Sequence, residues 1–299
     1  MTSNASKTDV RGDGQTLLVL GAGGMLGSRL ASMASAAGWR VTALDRAGCD
    51  ITDPAAIRQA LAAGPDWVAN CAAWTDVDGA EADEAGANRL NHHAAAELAR
   101  AAAEANIPVA HVSTDYVFDG SGRDPYPPGH PVDPINAYGR TKAAGEAAVL
   151  AASPRNLVVR TAWLYDGHHR NFFTTIRSLA ESRDRIEVVD DQHGRPTTTA
   201  TLSDIMLRLM AAGASGIHHG CNAGQATWFD FASAIVEAAG LACEVARCGS
   251  DRYPRPARRP AWSVLDLDPT RAITGPIPHW RKGLAAVLAD GQDREAGHA

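Results

Sequence analysis

Residues 17–30 read LLVLGAGGMLGSRL. The first four are an unbroken apolar run, the pattern of a strand buried on both faces. Glycines 21, 24 and 27 follow at G-x-x-G-x-x-G spacing, with Gly23 as an extra, and a helical pattern then runs from about Met25 to Ala37. Turns use glycine for many reasons, so the triplet alone says little. Its place between a strand and a helix says more. There the main chain can approach a pyrophosphate closely while the amides of the helix N-terminus face its charge. The segment therefore predicts a dinucleotide site built from Gly21, Gly24, Gly27 and the first helical residues Met25 and Leu26.

Working outward, the pattern repeats. TLLVL (16–20), RVTAL (40–44), DWVAN (66–70), PVAHVS (108–113) and NLVVR (156–160) read as strands. Between them lie helical stretches, one opened by Pro54 after Asp53 and an Ala-rich one from roughly Asn88 to Ala105. Strands alternating with helices of this length predict an α/β fold with a Rossmann-type, doubly wound parallel sheet. Beyond about residue 165 the rhythm loosens into RIEVVD (185–190), LSDIMLRLMAAG (202–213), GIHHGCN (216–222) and FDFASAIVEAAG (229–240), with a last short helix near Trp280–Ala289. The expected organisation is a leader over 1–15, a dinucleotide-binding domain over 16–165 and a smaller α/β substrate domain over 166–290. Some elements of the latter are free to return to the first domain, and a tail covers 291–299.

Composition narrows the function. A net charge of −6 argues against nucleic-acid or anionic-membrane partners. No apolar run approaches the roughly 20 residues of a membrane span, and the leader lacks an apolar signal core. Five cysteines with no C-x-x-C pair suit a reducing cytoplasm better than a disulfide framework or zinc site. The histidine pairs 92–93, 168–169 and 218–219 have no helical spacing with a carboxylate, so no metal centre is expected.

Two further segments extend the nucleotide site. Asp45 ends the second strand, where a carboxylate can hold ribose hydroxyls and repel a 2′-phosphate. Its neighbour Arg46 could pair with that phosphate, so NADH is slightly favoured over NADPH and dual use is open. In NCAAW (70–74), the small Ala72 and Ala73 leave room for a cofactor.

The chemistry is carried by AYGRTKAAGE (137–146). Tyr138 and Lys142 stand one helical turn apart and so share a face. The chain has three lysines against 25 arginines, which makes a lysine here notable. A phenol titrates near pKa ~10; an ammonium nearby lowers that value and makes the phenol a usable proton donor. Lysine, a compact charge on a flexible stem, suits this better than a planar guanidinium. A partner hydroxyl is expected in HVSTDYVFDG (111–120), where Ser113 and Thr114 are adjacent. Side chains alternate along a strand, so only one should face the cofactor, and composition does not choose between them.

STDYVFDG, YGRTK, RTAWLY (160–165), DQHGRPT (191–197) and PARRP (256–260) occur in the order and spacing of the dTDP-4-dehydrorhamnose reductase family of extended short-chain dehydrogenases, which the chain resembles from about residue 16 to 290. DITD (50–53) resembles that family's adenine-contacting segment, placing Asp50 and Ile51 against the base. The resemblance implies that Thr114 is the catalytic hydroxyl beside Tyr138 and Lys142, and that Asp115 and Trp163 hold the sugar. Arg195 and Arg258 are further substrate contacts, Arg258 and Arg259 lying in a Pro-rich loop that suits a diphosphate. The implied reaction is hydride delivery to C4 of a dTDP-4-keto-6-deoxy sugar, giving dTDP-L-rhamnose, by a monomer or homodimer. Three alternatives stay open: a 4-ketoreductase for another dTDP-deoxysugar, a sugar-nucleotide epimerase, and a non-catalytic subunit like the beta subunit of methionine adenosyltransferase.

Overall fold

Six strands form the central sheet in a computed structural model that describes residue 12 and residues 14–296. The expected leader falls mostly outside the described residues, as do the last three residues of the expected tail. In chain order the first half comprises β1 (Thr16–Leu20), α1 (Met25–Ala36), β2 (Arg40–Leu44), α2 (Pro54–Leu61), β3 (Trp67–Asn70), α3 (Val77–Ala82), α4 (Glu84–Asn88), α5 (Ala95–Glu104), β4 (Val109–Thr114), α6 (Ala137–Ala152) and β5 (Leu157–Thr161). The second half adds β6 (Leu164–Tyr165), α7 (Phe172–Ser182), β7 (Arg185–Val189), β8 (His193–Gly194), β9 (Thr197–Thr198), α8 (Thr199–Ala211), β10 (Gly216–His219), β11 (Ala226–Thr227), α9 (Trp228–Ala238), β12 (Glu244–Cys248), α10 (Asp268–Thr274) and α11 (Trp280–Ala296).

The sheet order is β10-β5-β4-β3-β1-β2 and every pairing is parallel. This is the doubly wound arrangement read from the sequence. The order reverses between β1 and β3, and a sheet of this kind opens its binding crevice at the carboxyl ends of those strands. Two elements of the second half complete this layer: β10 pairs with β5 at the sheet's edge, and α8 packs Leu202, Ile205, Met206 and Leu209 against Leu26, Leu30 and Ala34 of α1. A second core, built on Phe173, Ile176, Ile186, Val188, Phe231, Ile235 and Trp280, joins α7, the parallel pair β7–β12, α9 and α11.

Local chemistry sets the element ends. Asp53 caps α2 by accepting from Ala55 N at 2.8 Å, with Pro54 in the first turn. Thr198 caps α8 through Thr201 N, so that helix begins three residues before the expected Leu202. The Ala-rich helix also differs from expectation. It begins at Glu84, and Arg89–Ala94 form a π-helical segment before α5. Asn91 explains the bulge: its buried amide exchanges hydrogen bonds with the main chain of Trp74 (2.8 and 3.1 Å) and donates to Thr141 Oγ1 (3.1 Å). The bulge ties the loop after β3 to α6, which carries Tyr138 and Lys142. The last helix continues to Ala296, past the expected end near Ala289.

Candidate active site

The turn between β1 and α1 is shaped by contact. Gly21 has φ +77°, and a Cβ there would lie 2.7 Å from Ala72 N. A Cβ on Gly27 would lie 2.3 Å from Gly21 O. No larger residue fits either place, so turn, helix and the β3 loop close on one another. Gly24 caps α1 without any side-chain hydrogen bond, leaving the first-turn amides to an incoming anion.

These elements border a cleft of about 920 Å³, lined by Gly21, Gly24, Asp45, Arg46, Asp50, Ile51, Ala72 and Ala73. A second hollow of about 440 Å³ shares Gly24, Cys71 and Ala73 with it and is lined by Met25, Leu26, Gly27, Ser113, Thr114, Asp115, Tyr138, Lys142 and Trp163. The structure thus brings every expected cofactor residue, the three expected catalytic residues, Asp115 and Trp163 onto one continuous crevice. The residues present fit a dinucleotide: glycines at the turn, amides at a helix start, a carboxylate just past the end of β2 and small side chains after β3. Asp45 accepts from Gly48 N at 3.0 Å. Arg46, whose side chain is 89% exposed, reaches Asp50 at 3.3 Å.

Tyr138 sits in the first turn of α6, which Asn136 caps through Gly139 N at 2.8 Å. A Cβ on Gly139 would stand 2.1 Å from Tyr116 O, so glycine lets this helix start press onto the turn after β4. The Thr114 hydroxyl donates to Asp115 Oδ1 (3.1 Å) and accepts from Tyr116 N (3.2 Å). It also lies close enough to the Tyr138 phenol to pull its pKa down. Ser113 lines the same hollow, but its buried hydroxyl has no hydrogen-bond partner.

The electrostatics differ from expectation at one point. Burial outweighs the Thr114 contact and pushes the Tyr138 phenol up to about 12, with help from the charge of Asp115. Lys142 does not lower it, because its Nζ is turned to Val112 O (2.6 Å) and His111 Nε2 (3.3 Å). Tyr138 is therefore firmly a phenol at neutral pH, the form a proton donor needs. Burial brings Lys142 down to about 8, against the raising pull of Glu146 and Cys71, and pushes the Cys71 thiol up to about 12. Asp115, 2% exposed, is pushed up to about 7 by burial.

Trp163 adopts φ +47° and stacks face to face on Trp228, ring centres 3.6 Å apart and planes 7° from parallel. Trp228 donates from Nε1 to Gln192 Oε1 at 3.1 Å and separates the catalytic hollow from a third cavity of about 410 Å³. Tyr116, Phe172, Gln192, Tyr253, Arg255 and Arg259 help line that cavity.

Two expected contacts lie elsewhere. Arg195 is buried, and its guanidinium donates to Leu265 O (2.7 Å) and Gly224 O (2.5 Å), so it ties loops together away from the crevice. Arg258 is exposed and lines none of these cavities; its carbonyl accepts from Asn136 Nδ2 at 2.8 Å. The arginine that turns inward is Arg259, paired with Asp78 through both terminal nitrogens. Sequence reasoning also missed Trp228, Tyr116 and His111. Tyr116 stood inside a quoted motif, whereas Trp228 had no local signal.

Among the described residues no helix is long and apolar enough to cross a membrane. Fold and site together define a nicotinamide-dependent oxidoreductase of the extended short-chain class. Residues 15–292 match the family described as RmlD substrate binding domain. The chain is 46% identical over 280 residues to a dTDP-4-dehydrorhamnose reductase of Mycolicibacterium smegmatis, spanning 92% of this chain and 85% of the relative. It is 43% identical over 275 residues to a dTDP-4-keto-6-deoxy-D-glucose reductase of Streptomyces niveus, spanning 91% and 96%. A solved dTDP-4-dehydrorhamnose reductase from Bacillus anthracis in complex with NADP matches at TM-score 0.89 and 31% identity, covering 93% of this chain and 99% of that one. The chain belongs to the dTDP-4-dehydrorhamnose reductase family.

Proposed function

We propose that this protein reduces the C4 keto group of dTDP-4-dehydro-6-deoxy-L-mannose to give dTDP-L-rhamnose. The observation that carries this is the meeting of Thr114, Tyr138 and Lys142 in a hollow continuous with the glycine-rich turn. Gly21, Gly24, Gly27, Met25, Leu26, Ala72 and Ala73 would hold the cofactor's diphosphate and nicotinamide half, and Asp45, Asp50 and Ile51 its adenosine half. When bound, the nicotinamide supplies the hydride that reduces the C4 carbonyl. Tyr138 donates its phenolic proton to the carbonyl oxygen, Thr114 hydrogen-bonds that oxygen, and Lys142, on the same face of α6, reaches the cofactor's ribose. Asp115 binds sugar hydroxyls and Trp163 covers one face of the ring. Arg255 and Arg259 offer charge for the diphosphate, beside the aromatic rings of Phe172 and Tyr253. Arg195 and Arg258 are assigned no contact. Asp45 favours NADH and exposed Arg46 leaves NADPH usable. Five free cysteines suit the reducing cytoplasm.

The test supplies the keto sugar nucleotide in situ, with a dehydratase and a 3,5-epimerase, and follows NADH and NADPH absorbance in parallel. Substrate-dependent oxidation of either cofactor is expected; none with both would refute the reading. Tyr138→Phe should lose roughly 10²–10⁴-fold in turnover while still binding cofactor. The Streptomyces niveus relative motivates a second reading, a reductase for a different 4-keto sugar. Leaving out the 3,5-epimerase separates them, because undiminished oxidation without it favours the second.

A further inference from the structure

His111 has no place in the chemistry above, yet it is 1% exposed and sits 3.3 Å from the one buried lysine of the described chain. Its second nitrogen, Nδ1, lies 3.1 Å from Asn70 Nδ2. Asn70 is itself buried, and its Oδ1 is taken by the N–H of Ala72 at 3.2 Å. That last bond fixes the direction of the amide, since turning it over would set Nδ2–H against Ala72 N–H. With the amide so fixed, Asn70 Nδ2–H donates and His111 Nδ1 must accept. A neutral imidazole has one proton, which is then on Nε2 and aimed at Lys142 Nζ. Burial together with the charge on Lys142 keeps the ring neutral, holding its pKa well below the usual histidine value.

Lys142 Nζ must also donate to Val112 O, which can only accept. A free amine satisfies both neighbours: one N–H goes to Val112 O and the lone pair receives Nε2–H. An ammonium has no lone pair, so it would meet Nε2–H with another N–H. The ammonium fits only if His111 moves its proton to Nδ1, and that proton would then face Asn70 Nδ2–H. Each charge state of Lys142 thus demands a different tautomer of His111, and Asn70 favours the one that suits the amine.

We propose that His111, oriented by Asn70, is a positioning residue that couples its own tautomer to the charge on Lys142 and so makes this lysine a proton carrier instead of a fixed cation. The remaining groups facing Nζ do not duplicate this role. Cys71 stays a thiol, Tyr138 stays a phenol, and Glu146, one turn along α6, is held by both nitrogens of the Arg160 fork. A lysine that exchanges its proton can pass one to the Tyr138 phenolate after each turnover and take one back from solvent water as the site opens to release product, which a permanent cation cannot do. That consequence rests on the proposed catalytic role of Tyr138; the coupling itself does not.

The experiment uses the full chain without cofactor, so its outcome is independent of any activity. Protein carrying 13C at lysine Cε and 15N in histidine rings is titrated from pH 6 to pH 11 by NMR. The chain has three lysines, so three Cε signals are followed, and Lys142→Arg identifies the one of interest. We expect the Lys142 signal to titrate near 8, and the His111 ring to pass from the Nδ1–H to the Nε2–H tautomer with the same midpoint. Asn70→Ala frees the ring, and the Lys142 midpoint should then rise by about one unit, a tenfold change. A His111 ring that keeps one tautomer throughout the Lys142 titration overturns the proposal, and so does an unmoved midpoint in Asn70→Ala. Should that variant not fold, the wild-type titration decides alone.

Discussion

Truncating Glu146 to alanine tests what holds α6, and with it Tyr138 and Lys142, against the sheet. Glu146 lies one turn beyond Lys142, and its carboxylate receives Arg160 Nε at 2.9 Å and Nη2 at 2.7 Å. The two side chains are 4% and 2% exposed. Arg160 stands on β5, so this forked pair joins helix to sheet. In Glu146→Ala the guanidinium stays buried with Nη1 still on Pro128 O at 3.1 Å and the Phe118 ring 5.0 Å away, while Nε and Nη2 lose their acceptors. Removing one partner of a buried pair costs roughly 3–5 kcal/mol. The surviving Pro128 and Phe118 contacts argue for the lower part of that range.

The molecule supplies its own control. Arg140 and Glu84 form a fork with the same lengths, 2.9 and 2.7 Å, but their side chains are 46% and 47% exposed. Chemistry and geometry are matched and burial is the variable. Glu84→Ala should therefore cost only about 0.2–1 kcal/mol. At roughly 2 °C per kcal/mol, the low end of the range for chains of about 150–250 residues and the end that suits this longer chain, Glu146→Ala should lower Tm by about 6–8 °C and Glu84→Ala by about 2 °C or less. Calorimetry at pH 7 measures both, and urea titration gives the free energies. The double variant Glu146→Leu/Arg160→Met should recover most of the loss, because no charge is then stranded. Equal costs for the two single variants, or a double variant less stable than Glu146→Ala, would refute this reasoning.

Two further expectations concern the substrate side. Asp115 has its folded-state pKa raised from 3.8 to about 7, so the native state binds a proton that the unfolded chain has already shed, and stability is lost as pH climbs through that window. Asp115→Asn should thus be more stable than wild type at pH 8, by up to ~4 kcal/mol, with the gap closing towards pH 4; a gap that ignores pH in urea titrations would contradict it. A Cβ on Gly194 would stand 2.5 Å from Trp163 Cε2, so Gly194→Ala should push Trp163 off its stack on Trp228. The expected result is a higher KM for the sugar nucleotide, an unchanged KM for the cofactor, and a stability cost of about 1–3 kcal/mol; equal changes in both KM values would count against it.

What could be read in the sequence was what is local. The glycine turn, the strand–helix rhythm and the Tyr138–Lys142 spacing each depend on neighbours within a few residues, and each stands where it was expected. Contacts between distant segments were not legible. Nothing in GIHHGCN says that Gly216–His219 will close the edge of the first sheet beside β5. The choice between Arg258 and Arg259 turns on the path of a proline-rich loop with no periodicity, so neither residue is marked as the inward one. Arg195 sits in a motif that reads as substrate-binding, yet its guanidinium is used up on two carbonyls from chain 29 and 70 residues away. His111 occupied an ordinary strand position, and its meaning came only from Asn70 across the sheet and Lys142 on the helix above.

The same comparison accounts for the rare lysine. Position 142 is 2% exposed, bounded by Val112 O, His111 and the Cys71 thiol, and one turn from the Glu146–Arg160 fork. An arginine does fit in this part of the fold, since Arg160 is just as buried, but it has a carboxylate matched to both of its nitrogens. At 142 the acceptor Glu146 is already spent on Arg160, and the pocket offers one carbonyl and a neutral ring. A guanidinium there would have five donors, one good acceptor and no means of shedding its charge. A lysine can meet the same surroundings by giving up a proton, and burial lowers the cost of doing so. Position 142 departs from the chain's excess of arginine because the site calls for a charge that can come and go.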